Sequence, residues 1–549
     1  ASFGRNTHNL TLQANHFLSK STFYNLSFGY LSVDYRGSLY HKTPADYWTI
    51  MKTADGRRDS AYSNITAPAT DPLTGFFDNK GFQNIWRDDL SHIYTIKGDI
   101  TSQIHPEHLI KSGLELKIND IRYVDIQDGG TKLSNYGEWL YRGRYIDTTS
   151  LLPPIPPGPF KEFGQNRWVF LVKPLIGSWY IQDKFELEML IINAGLRVDF
   201  LDVGRTVMDP AWKKQWEDAT GKKADWKRFR FKFSPRFGIS FPISERTVTF
   251  FSYGHFVQLP ELQYYYRDPY SGGFTGNPKL DYEQTILYEF GLTHQLADFW
   301  AIDVKSYAKD ISKYVGTTRL RAALGLPVEL YDNNGYARAR GLEFILTKAY
   351  SDFTSGTLTY TIQWANGYSS SAFDDYIRSI NDFPNPIRER SLRWDVRQQI
   401  ILQGMVSTPE NEHMKLFGLD LPDDWILTVL SRFATGQPYT PFTLDPAEAQ
   451  VKENTERGPI TSSTDLKFIK GFKFGGVRFS LVVDIFNLFN QKNIQIDFGF
   501  NSATGKPFRY GNTVPPTNKF YDWYEMYRIM DPRQRSSGRT AKVGFRVDW

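Results

Sequence analysis

The chain of 549 residues contains no cysteine. Disulfides, thiolate metal sites and thiol nucleophiles are excluded together, and the absence suits an oxidising envelope where stray thiols are a liability. No run of about 18 apolar residues occurs, so a helical membrane span is excluded as well. Charge of one sign is also lacking. Lysine and arginine number 65 against 60 acidic residues, a net of +5, which argues against a nucleic-acid partner. The longest basic cluster, Lys222 to Lys232, is interrupted by Ala224, Asp225 and aromatics and reads as solvated loop. His105 and His108 straddle a turn, but no acidic or cysteine partner converges on them in sequence, so no metal site is expected. A nucleophile elbow, a His-Glu-x-x-His pair and a phosphate-binding loop are all missing. The chain does not read as an enzyme, and no cofactor is expected. No signal peptide is visible at Ala1, so a processed or truncated start is expected.

What is present is aromatic and alternating. Aromatics make up 16% of the chain, mostly Phe (41) and Tyr (32). The last nine residues place Ala541, Val543, Phe545, Val547 and Trp549 on one strand face, and Lys542, Gly544, Arg546 and Asp548 on the other. The same period of two runs through Leu190–Phe200, Phe231–Phe241, Ile286–Leu296 and Val477–Ile485. Such lengths match the roughly 9–11 residues with which a tilted strand crosses a bilayer; soluble strands are usually nearer five or six. A mean hydropathy of −0.44 is compatible with this, because such strands are apolar on one side only.

About seventeen strands follow, near 8–19, 22–35, 90–103, 108–125, 167–186, 189–200, 231–241, 247–257, 284–296, 301–315, 337–349, 353–364, 393–406, 425–434, 464–474, 477–486 and 541–549. Tight turns at Ser19–Thr22, Ile104–Glu107, Phe241–Arg246, Leu296–Trp300, Ala349–Asp352 and Gly475–Gly476 alternate with long segments. Those are 36–89, 126–166, 201–230, 258–283, 316–336, 365–392, 435–463 and 487–540. Short turns on one rim and long loops on the other define an all-β, antiparallel transmembrane barrel, with the short rim periplasmic. Only 407–424 is long for that rim. Inside the loops, Asp209-Pro210 and Asp445-Pro446 read as helix starts, and Leu151–Pro159 as an extended polyproline stretch. A soluble propeller or tandem sandwich also alternates, but the strand length and the two unlike rims speak against it. If Trp549 ends in the periplasm, an odd count puts Ala1 outside. Closed bacterial barrels usually have an even number of strands, so the expectation is a partial barrel, residues 1–549, of a 22-stranded plugged class, with N-terminal strands and plug outside this chain.

Several segments resemble the C-terminal barrel of TonB-dependent outer-membrane receptors. They are Ser234-Pro235-Arg236-Phe237-Gly238, Tyr253-Gly254-His255-Phe256, Gly276-Asn277-Pro278-Lys279-Leu280 with Tyr282-Glu283-Gln284-Thr285, and Ala339-Arg340-Gly341-Leu342-Glu343. Gly436-Gln437-Pro438-Tyr439, Arg457-Gly458-Pro459 and Asp484-Ile485-Phe486-Asn487-Leu488-Phe489-Asn490 follow in order. Each is weak alone; in sequence over 230–549 they are specific. Ser21-Thr22-Phe23-Tyr24 faintly resembles the Bacteroidetes-type subgroup, which bears an N-terminal carboxypeptidase-regulatory-like module. The resemblance implies a Gram-negative outer-membrane receptor that binds a scarce nutrient with its extracellular loops. Import would draw on TonB acting through the plug. The implied partners are outer-membrane lipid, TonB and the nutrient, with a surface lipoprotein as a further candidate. The alternative is a barrel used as a surface scaffold or docking platform.

Candidate substrate residues in the outer loops are Tyr264, Tyr265, Tyr266 and Arg267, where rings and a cation lie together, and Tyr521, Trp523, Tyr524 and Tyr527. Packing within the loops explains the same residues. Arg236, Glu289, Asp303, Lys305, Glu343, Arg478, Asp484 and Arg546 fall on the lumen side, where pairing with one another and with a plug competes with a substrate pathway. Phe299, Trp300, Tyr350, Phe353 and Trp549 sit at strand ends near the short turns and read as membrane-interface aromatics.

Overall fold

The computed structural model describes residues 2–38, 86–127, 140–141, 144–145, 166–267, 274–321, 327–380, 388–441, 448, 451–494, 500–501, 506–507 and 535–548. Trp523, Tyr524, Tyr527, Tyr521, Trp549 and the polyproline stretch lie outside the described residues, as does most of the second proposed loop helix. The first half of the sheet is β1 (Ser2–Phe17), β2 (Thr22–Ser38), β3 (Trp86–His105), β4 (His108–Gln127), β5 (Asn166–Val172), β6 (Leu175–Leu187), β7 (Leu190–Asp202), β8 (Phe229–Ser244) and β9 (Thr247–Gln258). The second half is β10 (Glu283–Ala297), β11 (Trp300–Arg321), β12 (Pro327–Ser351), β13 (Thr354–Gly367), β14 (Gln398–Thr408), β15 (Trp425–Ala434), β16 (Thr461–Phe474), β17 (Val477–Phe486) and β18 (Thr540–Asp548).

Each strand pairs antiparallel with its neighbour in the chain, and β5 and β6 both pair with β4 as one interrupted crossing. The sheet counts twenty strands when the stubs Phe274–Thr275 and Arg390–Ser391 are included. Seventeen crossings result, as the alternation predicts. Among the described residues no pairing joins β1 to β18.

Register shows why this chain makes one continuous wall. Val483 faces Val543, Leu481 faces Phe545 and Phe479 faces Val547, so apolar side chains meet on one surface. On the other surface Asp484 faces Lys542 and Lys467, 3.7 Å from the latter's Nζ. Outward residues such as Phe231, Phe233, Phe290, Phe472 and Phe545 are exposed, as a lipid-facing surface requires. Phe290→Arg should therefore destabilise the barrel by about 2–4 kcal/mol if it lies near the bilayer midplane, whereas Gln403→Arg on the lumen face should leave it intact. Urea titration of the refolded protein in vesicles checks this; equal midpoints for both variants would sink the facing assignment.

The short rim uses two-residue turns with left-handed backbone, which match the twist of the strands they join. Gly475 and Gly476 have φ +58° and +85°, and Asp352 and Phe353 have +50° and +63°. The long 407–424 segment is resolved by a small hairpin, Lys415–Leu416 with Leu419–Asp420. Asp423 accepts from Asn411 N at 2.8 Å and closes its base.

Several strand boundaries depart from the sequence reading; the first strand begins at Ser2 rather than near residue 8, and three others have a visible cause. The 167–186 strand breaks at Lys173-Pro174, where proline has no N–H to give the ladder; Asn119 donates from both backbone N and Nδ2 to Pro174 O instead. The 393–406 strand begins only at Gln398, because Asp395, fully buried, turns its carboxylate to Ala365 N at 3.1 Å and takes a ladder position. The 316–336 segment is not a free loop. β11 and β12 run on through Thr317–Tyr331 and Arg319–Glu329 pairs; Val315 and Tyr331 enter one loop core, while Leu330, on the opposite face, packs with Trp216 and Trp226 in another.

Candidate functional site

Those cores are built from the long connections. After β7, Asp209 caps helix α1 (Pro210–Thr220) by accepting from Ala211 N at 2.8 Å, with Pro210 at the first helical position, as the sequence signal predicts. Trp216 of this helix is fully buried, and its Nε1 donates to Gly276 O at 2.8 Å in the next connection. Its ring meets Trp226 edge-on at 5.0 Å. Helix α2 (Leu262–Tyr266) and helix α3 (Asp374–Ile380) complete the cap.

Tyr265 and Tyr266 are wholly buried, packed with Leu201, Val203, Leu280, Tyr282, Val315 and Tyr331. Tyr266 Oη donates to Val203 O at 3.0 Å. Tyr264 is half-buried and lies 4.6 Å from the Tyr331 ring, and Arg267 reaches Tyr331 Oη at 3.2 Å and the Phe274 face at 5.1 Å. The structure thus places two of the four predicted residues inside the cap and the other two at its margin. Sequence reasoning missed Arg230, Asn277 and Tyr331. Arg230 donates to the carbonyls of Leu280 and Pro278 and lies 5.8 Å from the Tyr265 ring. Asn277 ties the motif Gly276–Leu280 to the β11–β12 hairpin through Tyr331 O at 2.8 Å. Gly276 is required there, since a Cβ would lie 2.5 Å from Arg267 N. The motif itself was the available signal; its partner, 54 residues away, was not.

Asp281 is bound by Lys232 at 2.7 Å and by Lys313. Burial works against ionisation here, but the hydrogen bonds from the two lysines outweigh it and hold the carboxyl below its usual range. Asp125, at the outer end of β4, is the opposite case. Burial pushes its pKa up to about 6; Arg87 opposes the rise and Asp89 adds to it. The folded state therefore binds a proton that the unfolded chain releases near its ordinary value of about 3.9. Stability of this corner should fall as pH rises from about 4 through about 6. Exchange protection at the outer ends of β3 and β4, taken relative to the intrinsic amide rate at each pH, should be greater at pH 5 than at pH 7, and Asp125→Asn should reduce that difference. A pH dependence undiminished in Asp125→Asn would assign it to another group.

Below the cap the lumen wall is dented. Arg236 is directly opposite Gly195 on one side and Gly254 on the other, so neither cross-strand neighbour contributes a side chain, and the Phe256 ring leans over Gly254. A cavity of about 520 Å³ opens there, lined by Tyr180, Gln182, Arg197, Gly238 and Ser252 among others. Arg236 lies 4.6 Å from the Phe256 ring, and among the described residues no carboxylate lies within ion-pair distance of it. Most of the other predicted lumen residues have polar partners or stand opposite polar residues. Glu289 accepts from Ser252 Oγ at 3.2 Å, Arg478 meets Asp424 at 2.5 Å, Asp303 accepts from Thr293, and Glu343 is opposite Lys305. Arg546 is opposite Ser480. Trp300 and Phe353 stand beside the short turns, with Lys348 Nζ 6.0 Å from the Trp300 ring. His108, weighed as a metal ligand, bonds Asp183 at 2.8 Å and stacks on Phe185.

An up-and-down wall of this size, apolar outside, charged inside and capped by folded connections on one rim, defines a large outer-membrane-type β-barrel. The chain belongs to the TonB-dependent receptor-like β-barrel family, whose model matches residues 2–488. The family is one of Gram-negative outer-membrane transporters, not enzymes, that work with a plug domain and TonB. Among solved structures the chain is similar to the FrpB iron transporter of Neisseria meningitidis, with TM-score 0.55 and 12% identity over 98% of this chain and 62% of that one. It is similar also to the ferric-catecholate import receptor Fiu of E. coli K12 (TM-score 0.51, 13% identity, 90% and 61%). The third is the ferric yersiniabactin uptake receptor FyuA of Yersinia pestis (TM-score 0.52, 9% identity, 99% and 61%). At such identities the likeness is one of fold. The chain spans about three fifths of the length of these receptors. No curated protein sequence matches.

Proposed function

We propose that this chain is the barrel of an outer-membrane importer that captures a scarce nutrient at its long-loop rim and passes it down the lumen. Energy comes from TonB, acting through a plug domain that the barrel encloses. The observation that carries the reading is the dent at Arg236, a lumen cation with no carboxylate within ion-pair distance among the described residues, below a cap made of four connections. Arg236 and the marginal pair Tyr264 and Arg267 are the contacts proposed for cargo or plug; Trp523, Tyr524 and Tyr527 extend that list. The structurally similar receptors carry ferric chelates by their printed descriptions, and ferric chelates are the first cargo to test. The subgroup with a carboxypeptidase-regulatory-like module is part of the same proposal.

The test is uptake of radiolabelled ferric chelates by cells expressing the full-length protein, with and without TonB. Uptake that requires TonB and falls at least tenfold in Arg236→Ala supports the reading. Surface binding of a partner protein without any TonB-dependent uptake would replace it with the scaffold reading.

A further inference from the structure

The lumen wall carries its charges in two different ways. On β3, β4, β6 and β7 they come in pairs two residues apart on one strand, and residues two apart share a face. Arg87 meets Asp89 at 2.6 Å, Lys97 meets Asp99 at 3.3 Å, Lys117 meets Glu115 at 2.7 Å and Arg197 meets Asp199 at 2.8 Å. Lys184 pairs with Glu186 in the same manner. Register puts these pairs on the lumen side. Lys97 is opposite Glu115, Glu115 opposite Ser178 and Ser178 opposite Asp199, while the alternate residues Ile96, Leu114, Trp179 and Leu196 are exposed on the outside. Each of these strands supplies its own counter-charges.

On β10, β11 and β12 the lumen face is different. Glu289 is opposite Ser252, Lys309 lies between Leu287 and Ala339, and Lys305 is opposite Glu343. Among the described residues none of these four lies within ion-pair distance of an opposite charge. The contrast has an energetic meaning. Half-exposed pairs contribute little to stability, but a wall that is neutralised by its own pairs needs no charged partner and is left with no bare charge when one departs. A wall with unpaired charges of both signs fits a surface of complementary signs, and separating the two orphans each charge again. The dent lies on the self-paired side. Its row runs from Lys111 through Gln182 and Gly195 to Arg236.

We propose that cargo descends along the lumen faces of β4 to β7, below the dent, while the enclosed plug domain keeps its seat on β10 to β12. The inference rests on the importer reading above and names the side on which its lumen opens. Under tension from TonB, contacts give way first where no ion pair between wall and plug has to break. The cavity of about 520 Å³ already provides room on that side. A passage must also hold its cargo weakly enough to release it, which self-paired charges and amides such as Gln182 and Asn193 allow.

Asn193 and Thr347 allow a test, because both face the lumen a few residues above short turns, one on each side. Asn193→Cys and Thr347→Cys are made separately in the full-length protein freed of any other cysteine. Cells are then treated from outside with a membrane-impermeant maleimide, with and without TonB. Asn193→Cys should label roughly tenfold faster when TonB is present, and Thr347→Cys at an unchanged rate. Adding Lys309→Gln/Glu343→Gln should loosen the seat and speed labelling of Thr347→Cys as well. Heat-modifiable migration verifies that each variant is folded; none of the replaced side chains is buried. A TonB response at Thr347→Cys alone overturns the proposal. So does an equal response at both positions, which would mean that the plug leaves as a whole, or a Thr347→Cys rate untouched by the double substitution. No response at either position overturns it too. TonB-dependent uptake in the same cells would then leave the importer reading standing, and its absence would remove both.

Discussion

Glu453→Ala should loosen two outer connections at once while leaving the barrel folded. Glu453 lies between β15 and β16, yet it binds Arg378 of α3 at 2.7 Å and Arg390 of the stub before β14. Both arginines are nearly buried, with side chains 6% and 11% exposed. Removing the carboxylate leaves Arg390 without that partner in a low-dielectric site, which costs about 3 kcal/mol, the low end for a buried pair because Glu453 is partly exposed. Arg378 retains Asp375 at 2.7 Å and Tyr368 O at 2.8 Å, so the loss is concentrated at Arg390. Amide exchange in 388–397 and 451–458 should then rise roughly a hundredfold. Glu453→Gln, which keeps acceptor oxygen but no charge, should fall between. Unchanged exchange in both segments of the alanine variant would show that the clamp does not hold them.

Trp216→Ala should disassemble the cap from its other end. The ring is fully buried and touches Trp226, and its N–H is bonded to Gly276 O. A large-to-small change at such a position costs about 3–5 kcal/mol, and here a carbonyl also loses its donor. Protease nicking in 203–228 and 259–282 should appear in the variant, with barrel fragments intact. Trp216→Phe should recover part of the packing but not the Gly276 bond. A cap equally resistant in wild type and Trp216→Ala would mean the connections are held by the strands beneath them alone.

The wall was legible because its information is local. A period of two tells which residues face lipid and which face the lumen without any knowledge of the neighbour, and two-residue turns announce themselves in composition. Asp209-Pro210 was legible for the same reason: cap and first turn are contiguous. The cap was not. Tyr265 and Tyr266 in sequence are simply aromatic and near an arginine, which suits stacking on a ligand as well as packing. What buries them comes from Leu280, farther along the same connection, and from Leu201, Val315 and Tyr331 on strands elsewhere in the chain. The lumen dent was equally hidden, since it depends on which glycine register sets beside Arg236. The strand start at Gln398 was misplaced because a side-chain carboxylate, Asp395, replaces a backbone group, and alternation does not register such an exchange.

The β11–β12 hairpin runs without a break from Trp300 and Ser351 at the short rim to Tyr331 inside the cap, and β12 alone has 25 residues, roughly 80 Å of extended chain. Mechanically it is a stiff rod, except at one place. The register slips twice between Ser312 and Gly316, and Lys313 there has φ +58°. Twist and bending concentrate at such a bulge. Any displacement of the cap is therefore expected to pivot about Lys313, resisted there by the bonds from Asp281 to Lys313 and Lys232.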